Sequence, residues 1–196
     1  MTLHWTELRA SHFFTWFGLR ETDRVPSAAG ATISCTPGNF ADHIALTFEV
    51  DAAETVQRAV LTLDRAWLEG LRTAPFAADI AKSFILTLAA GDAAMAALGR
   101  QIELRMGRLP GVIARPHAEE PPPAALAEVI AAALAVYEGG RERAELRGPG
   151  QTLVISNDAA RRRPYLQIAW AALPGASRAR GKLWRRLLAA RTTRRG

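Results

Sequence analysis

Cys35 and His43 are the residues of this chain whose types come nearest to a nucleophile and its base. That chemistry needs a thiolate in an electropositive setting with the imidazole in hydrogen-bond reach. The local pattern points elsewhere. Cys35 alternates with Ile33 in the apolar run "ATISC", which predicts a buried, inert thiol. His43 falls on the polar side of the next run, beside Thr47 and Glu49, as an ordinary surface histidine does. His4, His12 and His117 are scattered, with no pair at metal-ligand spacing. Glu119 and Glu120 adjoin a proline run, where they solvate a linker; paired carboxylates for acid–base work flank a cleft. Cys35 is the sole cysteine, so an internal disulfide and a multi-cysteine zinc site are excluded. "GPGQTL" lacks the third glycine of a dinucleotide fingerprint, and Gly-Lys-Ser/Thr, HExxH, calcium-loop and GxSxG patterns do not occur. The expectation is a protein with no catalytic, cofactor or metal site, with an enzyme of unfamiliar site as an alternative.

The strongest chemical signal is charge. From Ala159 to Gly196 there are 11 basic residues and no acid, while the rest of the chain holds 14 basic against all 19 acidic residues, a net of −5. Such asymmetry suggests a polyanionic partner. The basic positions of the terminal stretch are Arg178, Arg180, Lys182, Arg185, Arg186, Arg191, Arg194 and Arg195, with Trp184 among them. In "KLWRRLLAAR", Leu183, Trp184, Leu187 and Leu188 cover about 140° of a helical wheel, with Lys182, Arg185 and Arg186 opposite. This predicts a basic amphipathic helix of about three turns, marginal alone in water and formed on contact. Three destinations fit it. It packs on its own acidic body; or its arginines take nucleic-acid phosphates with Trp184 available for stacking; or it lies on an anionic membrane or in a partner's groove. Lys82 and Lys182 are the only lysines among 25 basic residues. With so much alanine, this is what a GC-rich, bacterial-like genome writes, and not a choice of arginine for its fork.

The body must position whatever this terminus does. At 196 residues, 49% apolar and 22% charged, the chain is long enough to bury a core. Its longest uncharged stretch in an expected element, Pro164 to Ser177, is too short and too broken to span a bilayer. Glu7 and Arg9 interrupt the apolar residues at the N-terminus, unlike a secretory signal, so a cytoplasmic protein is expected.

"HWTELRASHFFTWFGLR" places Trp5, Leu8, His12, Trp16 and Leu19 at helical steps, widened by Phe13 and Phe17, and predicts one helix docked by its aromatic face. "DRVPSAAG" reads as a loop. "ATISC", "HIALTFEV" and "TVQRAVLTL" predict a three-stranded antiparallel meander. "APFAADIAKSFILTLAA" is a helix with Phe76, Ile80, Phe84 and Leu88 in register, interrupted at Gly91, after which Asp92 caps a second segment. "QIELRM" (101–106) alternates and is read as a strand, with an extension of the preceding helix as the alternative. Residues 115–123, with Pro121, Pro122 and Pro123, form an internal linker. A helix carrying Leu126, Ile130, Leu134 and Tyr137 follows, then strands at "RERAELR", "QTLVISND" and "PYLQIAWAAL", the last covered on both faces.

"LTLDRAWLEGL", the alanine-rich helix after it and "LGRQIELRMG" loosely resemble, in apolar patterning, the amino-terminal part of the ring proteins of type III secretion sorting platforms. No residue role is carried over from the resemblance.

The expected architecture is therefore α+β. Two antiparallel strand groups of about six strands pack with several helices in a single domain, residues 1–175, followed by a basic extension, residues 176–196. The expected function is that of a non-enzymatic interaction or adaptor protein whose arginine-rich end engages an acidic partner surface, with DNA or RNA binding by the same segment as the alternative.

Overall fold

The computed structural model describes residues 3–70, 73–89, 91–106, 122, 124–158 and 164–173. Two short helices, α1 (Trp5–Arg9) and α2 (His12–Trp16), lead into the meander β1 (Arg20–Ser27), β2 (Gly30–Thr36), β3 (Ile44–Asp51) and β4 (Val56–Asp64). Four helices follow: α3 (Arg65–Glu69), α4 (Ala74–Leu88), α5 (Ala93–Met106) and α6 (Ala127–Tyr137), the last entered through a 3-10 turn at Ala124–Leu126. The chain then forms β5 (Arg143–Gly148), β6 (Gln151–Asp158) and β7 (Tyr165–Ala172). The fold is α+β.

The two strand groups join in one seven-stranded antiparallel sheet, ordered β1-β2-β3-β4-β7-β6-β5. The seam is β4 against β7, with Leu61 opposite Ile168 and Leu63 opposite Leu166. Alternation decides the layers. Ile44, Leu46, Phe48 and Val50 of β3 are buried, as are Leu166, Ile168 and Trp170 of β7, and they share one hydrophobic core with the inner faces of α4, α5 and α6. The edges are blunted. Every residue of β1 is exposed, its pairing slips between Glu21 and Asp23, and Pro26 stands near its end. At the other edge β5 turns Arg143, Glu145 and Arg147 outward. Charges, proline and irregularity on an edge discourage pairing with another chain.

Four expectations change. The amino-terminal helix is two helices, because the Ser11 hydroxyl accepts the Phe14 N–H (3.3 Å) and starts a new one. The restart shifts the buried stripe to Phe13, Phe14 and Phe17, and leaves His12 and Trp16 stacked on each other outside, with Trp16 66% exposed. The stretch containing "DRVPS" is strand β1 and not a loop; a strand exposed on both faces has no apolar alternation to betray it. Residues 101–106 are helix, the continuation of α5. Asp92 caps that helix through the Met95 N–H (3.0 Å), and Met95, Leu98 and Ile102 satisfy a helical period as well as Ile102 satisfies an alternating one. Finally, β7 is central, but only one of its faces is buried; Gln167, Ala169 and Ala171 on the other are half-exposed. The linker read at 115–123 lies outside the described residues apart from Pro122.

The elements are pinned at the carboxyl end of α6. The Arg65 side chain, at the start of α3, is buried and donates to the carbonyls of Val136 (3.0 Å) and Tyr137 (2.5 Å). Asn157 of β6 donates to the same Val136 carbonyl (2.7 Å) and to that of Arg141 (2.8 Å). The last carbonyls of a helix have no partner within it. Here the Glu138, Gly139 and Gly140 N–H groups take the Leu134, Val136 and Ala135 carbonyls, the guanidinium takes that of Tyr137, and the guanidinium and the Asn157 amide, meeting at Val136, tie α3, α6 and β6 together.

Candidate docking face

The side of the sheet opposite the core is a candidate site for contact. Its composition follows from the alternation in three strands. In β3, "HIALTFEV" sends Ala45, Thr47 and Glu49 outward; in β7, "YLQIAWAA" sends Gln167, Ala169 and Ala171 outward. Pairing aligns these in rows across four strands. One row is Thr47, Val60, Ala169 and Val154. The next is Ala45, Thr62, Gln167 and Ser156, and the third ends in Ala171 and Thr152 beyond the Glu49–Arg58 ion pair (2.8 Å). On these four strands the two rows carry no charge, and Gln167 is their one long side chain. Solvated faces of antiparallel sheets ordinarily alternate hydrophobic-in with polar-out, so this surface is unusually flat and small-featured. The described helices all lie against the other face, where the buried residues are.

The rim is charged. Arg58 and Glu49 pair at one end, Arg147 and Glu145 (2.7 Å) on the β5 edge. At the opposite end an open cleft of about 180 Å³ is lined by Asp42, His43, Thr62, Asp64, Pro164 and Tyr165, among others. His43 lies flat on the Trp67 ring, with centroids 6.0 Å apart. Its Nδ1 stands 3.6 Å from Asp64 Oδ2, beyond the reach of the hydrogen bond by which a carboxylate orients a catalytic base. The other Asp64 oxygen is committed to capping α3, accepting the Trp67 N–H (3.2 Å). Phe40 closes this end. It is 42% exposed, packed at a tilt against Trp67 (5.3 Å) and Phe76 (5.1 Å), and takes a φ of 64°, a strained conformation for an aromatic residue that its ring contacts hold in place.

Cys35 and His43 are not brought together. Cys35 pairs with Leu46 inside the sheet and is 1% exposed on the core side, while His43 is exposed beyond the end of β3. Burial pushes the thiol from an ordinary 9.0 up to about 12. Two results are expected. A disulfide reagent at pH 8 leaves the native thiol unmodified and titrates it fully in urea. Stability also falls on the alkaline side. The folded state holds the thiol proton more tightly, so this contribution is intact below the unfolded value near 9 and is lost as pH rises toward 12. Tyr137, pushed up by burial, acts in the same direction. Urea midpoints measured from pH 8 to 11 check this, and Cys35→Ala shows a shallower decline.

Among the described residues no group of three His, Cys, Asp or Glu side chains is placed to hold a metal ion, and no helix is long and apolar enough to cross a membrane. The sequence-predicted contact residues Arg178, Arg180, Lys182, Trp184, Arg185, Arg186, Arg191, Arg194 and Arg195 lie outside the described residues. The open face was not anticipated. Its signal was the small outward set Ala45, Thr47, Ala169 and Ala171, which gains meaning only once β3, β4, β7 and β6 are known to be neighbours. No protein-family model matches the chain, and neither a curated protein nor a solved structure shows significant similarity to it.

Proposed function

We propose that the protein is a non-enzymatic interaction module whose arginine-rich carboxy-terminal segment engages an acidic surface on a protein partner. The observation that carries this reading is the segregation of charge: 11 basic residues and no acid after Asp158, against a body of net −5. The acids of the body support it, because many of them are already engaged. Glu21 and Glu54 share Arg24, Glu49 takes Arg58, and Asp79 and Glu103 share Lys82. Asp51, Asp64 and Asp92 are occupied by backbone N–H groups of turns and helix caps. These local pairs and caps already engage part of the body's carboxylate within the molecule. A further support is the flat sheet face, uncharged in its two middle rows, which offers area for contact.

The test immobilises the full chain, and a variant with Arg178, Arg180, Arg185, Arg186, Arg191, Arg194 and Arg195 changed to Gln, and exposes both to nuclease-treated extract of the source cell. One or more discrete acidic proteins are retained by the parent in stoichiometric amount and bind the variant at least about tenfold more weakly, as the loss of several exposed pairs requires. Retention by both chains alike overturns the reading. So does binding that disappears with nuclease treatment, which would assign the arginines to nucleic acid.

A further inference from the structure

We propose that residues 38–43 are a strap that opens and closes over the Trp67 indole, so that the aromatic surface at the cleft end of the sheet is covered in one state and bared in the other. This conformational device is independent of the charged terminus and of the role read from it.

The strap is built to move as a unit. Its six residues, "GNFADH", are all exposed, and they hang between two buried anchors, Pro37 on one side and Ile44 on the other. Among the described residues its main chain is bonded to the rest of the fold at its two ends alone. The Gly38 N–H donates to the Phe17 carbonyl (3.3 Å), and the His43 carbonyl accepts the Asp64 N–H (2.9 Å). Between these ends the main-chain bond is internal, from the His43 N–H to the Phe40 carbonyl (3.0 Å). An exposed segment with so few bonds to the body opens locally, without unfolding of the core.

What the strap covers is fixed beneath it. Trp67 lies in α3, where its N–H is held by the Asp64 cap and its carbonyl by the Thr73 hydroxyl. Its ring is buried. Two of the three rings packed on it belong to the strap: Phe40 at a tilt, with centroids 5.3 Å apart, and His43 lying flat at 6.0 Å. The third, Phe76 of α4, meets it at a T (5.9 Å) and stays with the helices.

The closed state carries two costs. Phe40 holds a φ of 64°, a left-handed conformation that an aromatic residue adopts only under constraint. The Trp67 Nε1–H is buried with no acceptor, and a buried indole N–H ordinarily finds one. Opening relieves both, because the Phe40 backbone relaxes and water reaches the indole. The ring contacts of Phe40 and His43 oppose opening. Each is comparable in size to one of the costs, and both rings are themselves exposed on their outer side, so only part of their apolar area is gained by closing. Two gains set against two costs of similar size leave the states near balance, the condition for a populated minor state. The open state presents an aromatic face with an unused donor beside the cleft.

The experiment follows hydrogen exchange of the Trp67 indole N–H by NMR in the full chain. The main-chain amides of Leu61 and Ile168, in the β4–β7 seam, measure global unfolding. The Trp67 N–H is protected at least about a hundredfold less than the seam amides, and low urea leaves its rate unchanged while theirs rises. Phe40→Ala removes the ring but keeps the strained backbone, and speeds the Trp67 exchange about tenfold over the parent. Phe40→Gly removes ring and strain together, and exchanges about fivefold more slowly than Phe40→Ala. Seam amides that stay protected show that each variant folds. Trp67 exchange that keeps pace with the seam amides overturns the proposal, since the indole is then bared by unfolding alone. Rates that both variants leave at the parent's value overturn it as well, because they assign the opening to another element. So do equal rates in the two variants, which would take away the strain that holds the strap near balance.

Discussion

Arg65→Ala unfolds at a much lower urea concentration than the parent, with a loss of about 4 kcal/mol at unchanged slope. The size follows from what the guanidinium holds. It is 8% exposed and donates to two carbonyls at the end of α6. A hydrogen bond from a charged donor contributes about 1.5–3 kcal/mol, and the negative end of the helix dipole adds to the attraction. Burial pulls the Arg65 pKa down from its ordinary value, an effect that Glu69 opposes. Glu69, 3.5 Å away and largely exposed, is a screened partner of small effect. Removing the side chain leaves the Tyr137 carbonyl without its donor in a buried setting and opens a void beside Gly139, where a guanidinium nitrogen lies 2.9 Å from the position of an added Cβ. Arg65→Lys recovers less than half of the loss, since one ammonium cannot serve two carbonyls as the fork does. A measured loss below about 1 kcal/mol would mean that water replaces the donor and that α6 is not pinned there.

Gly30→Ala is expected to cost about 3 kcal/mol or more and to open the β2–β3 ladder at that end. Gly30 takes a φ of 151° in the β1–β2 hairpin, and a Cβ added to it would stand 1.9 Å from the Val50 carbonyl oxygen and 2.7 Å from Asp51 Cα. These are backbone atoms of the strand it pairs with, through Gly30 opposite Asp51 and Ala31 opposite Val50, so neither side can yield without breaking that pairing. Gly91 is the control. Its φ is 83°, yet nothing lies within 4 Å of an added Cβ. Gly91→Ala therefore carries only the left-handed penalty, about 1–2 kcal/mol. Urea titration of both variants, with amide exchange of Thr32 and Glu49 in the first, measures the difference. Equal losses in the two would show that crowding at Gly30 is relieved by hinging of the hairpin.

Elements with one buried face were legible in the sequence. β3, β4, α4 and α6 each carry an apolar period that their packing uses, and Phe76, Ile80, Phe84 and Leu88 announce α4 in four steps. β1 was not legible, because it buries no side chain and is held by main-chain pairing with β2, the Arg24–Glu54 ion pair and the Thr22 hydroxyl on the Ser34 carbonyl. Residues 101–106 satisfied two periods at once, and the choice between them was made upstream by the Asp92 cap. Ser11 carried the information that splits the amino-terminal helix, but its effect depended on Phe13 and Phe14 having a core to enter. The candidate site divides in the same way. Its charged half was visible in composition, since charge needs no partner to be counted. Its flat half was hidden, since alanines and threonines on separate strands become a surface only through the β4–β7 seam.

That seam also sets a timetable. β7 comes after every other described strand in the chain, yet it occupies the interior of the sheet between β4 and β6. During synthesis the meander from β1 to β4 emerges early, and its β4 edge then waits, unpaired, while the 100 residues between β4 and β7 follow. The β5–β6 hairpin has no purchase on that meander until β7 arrives as the wedge that joins them. Folding of the whole sheet is therefore a late, long-range event, slow by the measure of contact order. The vulnerable species is a nascent chain with a bare apolar strand, the form most in need of a chaperone.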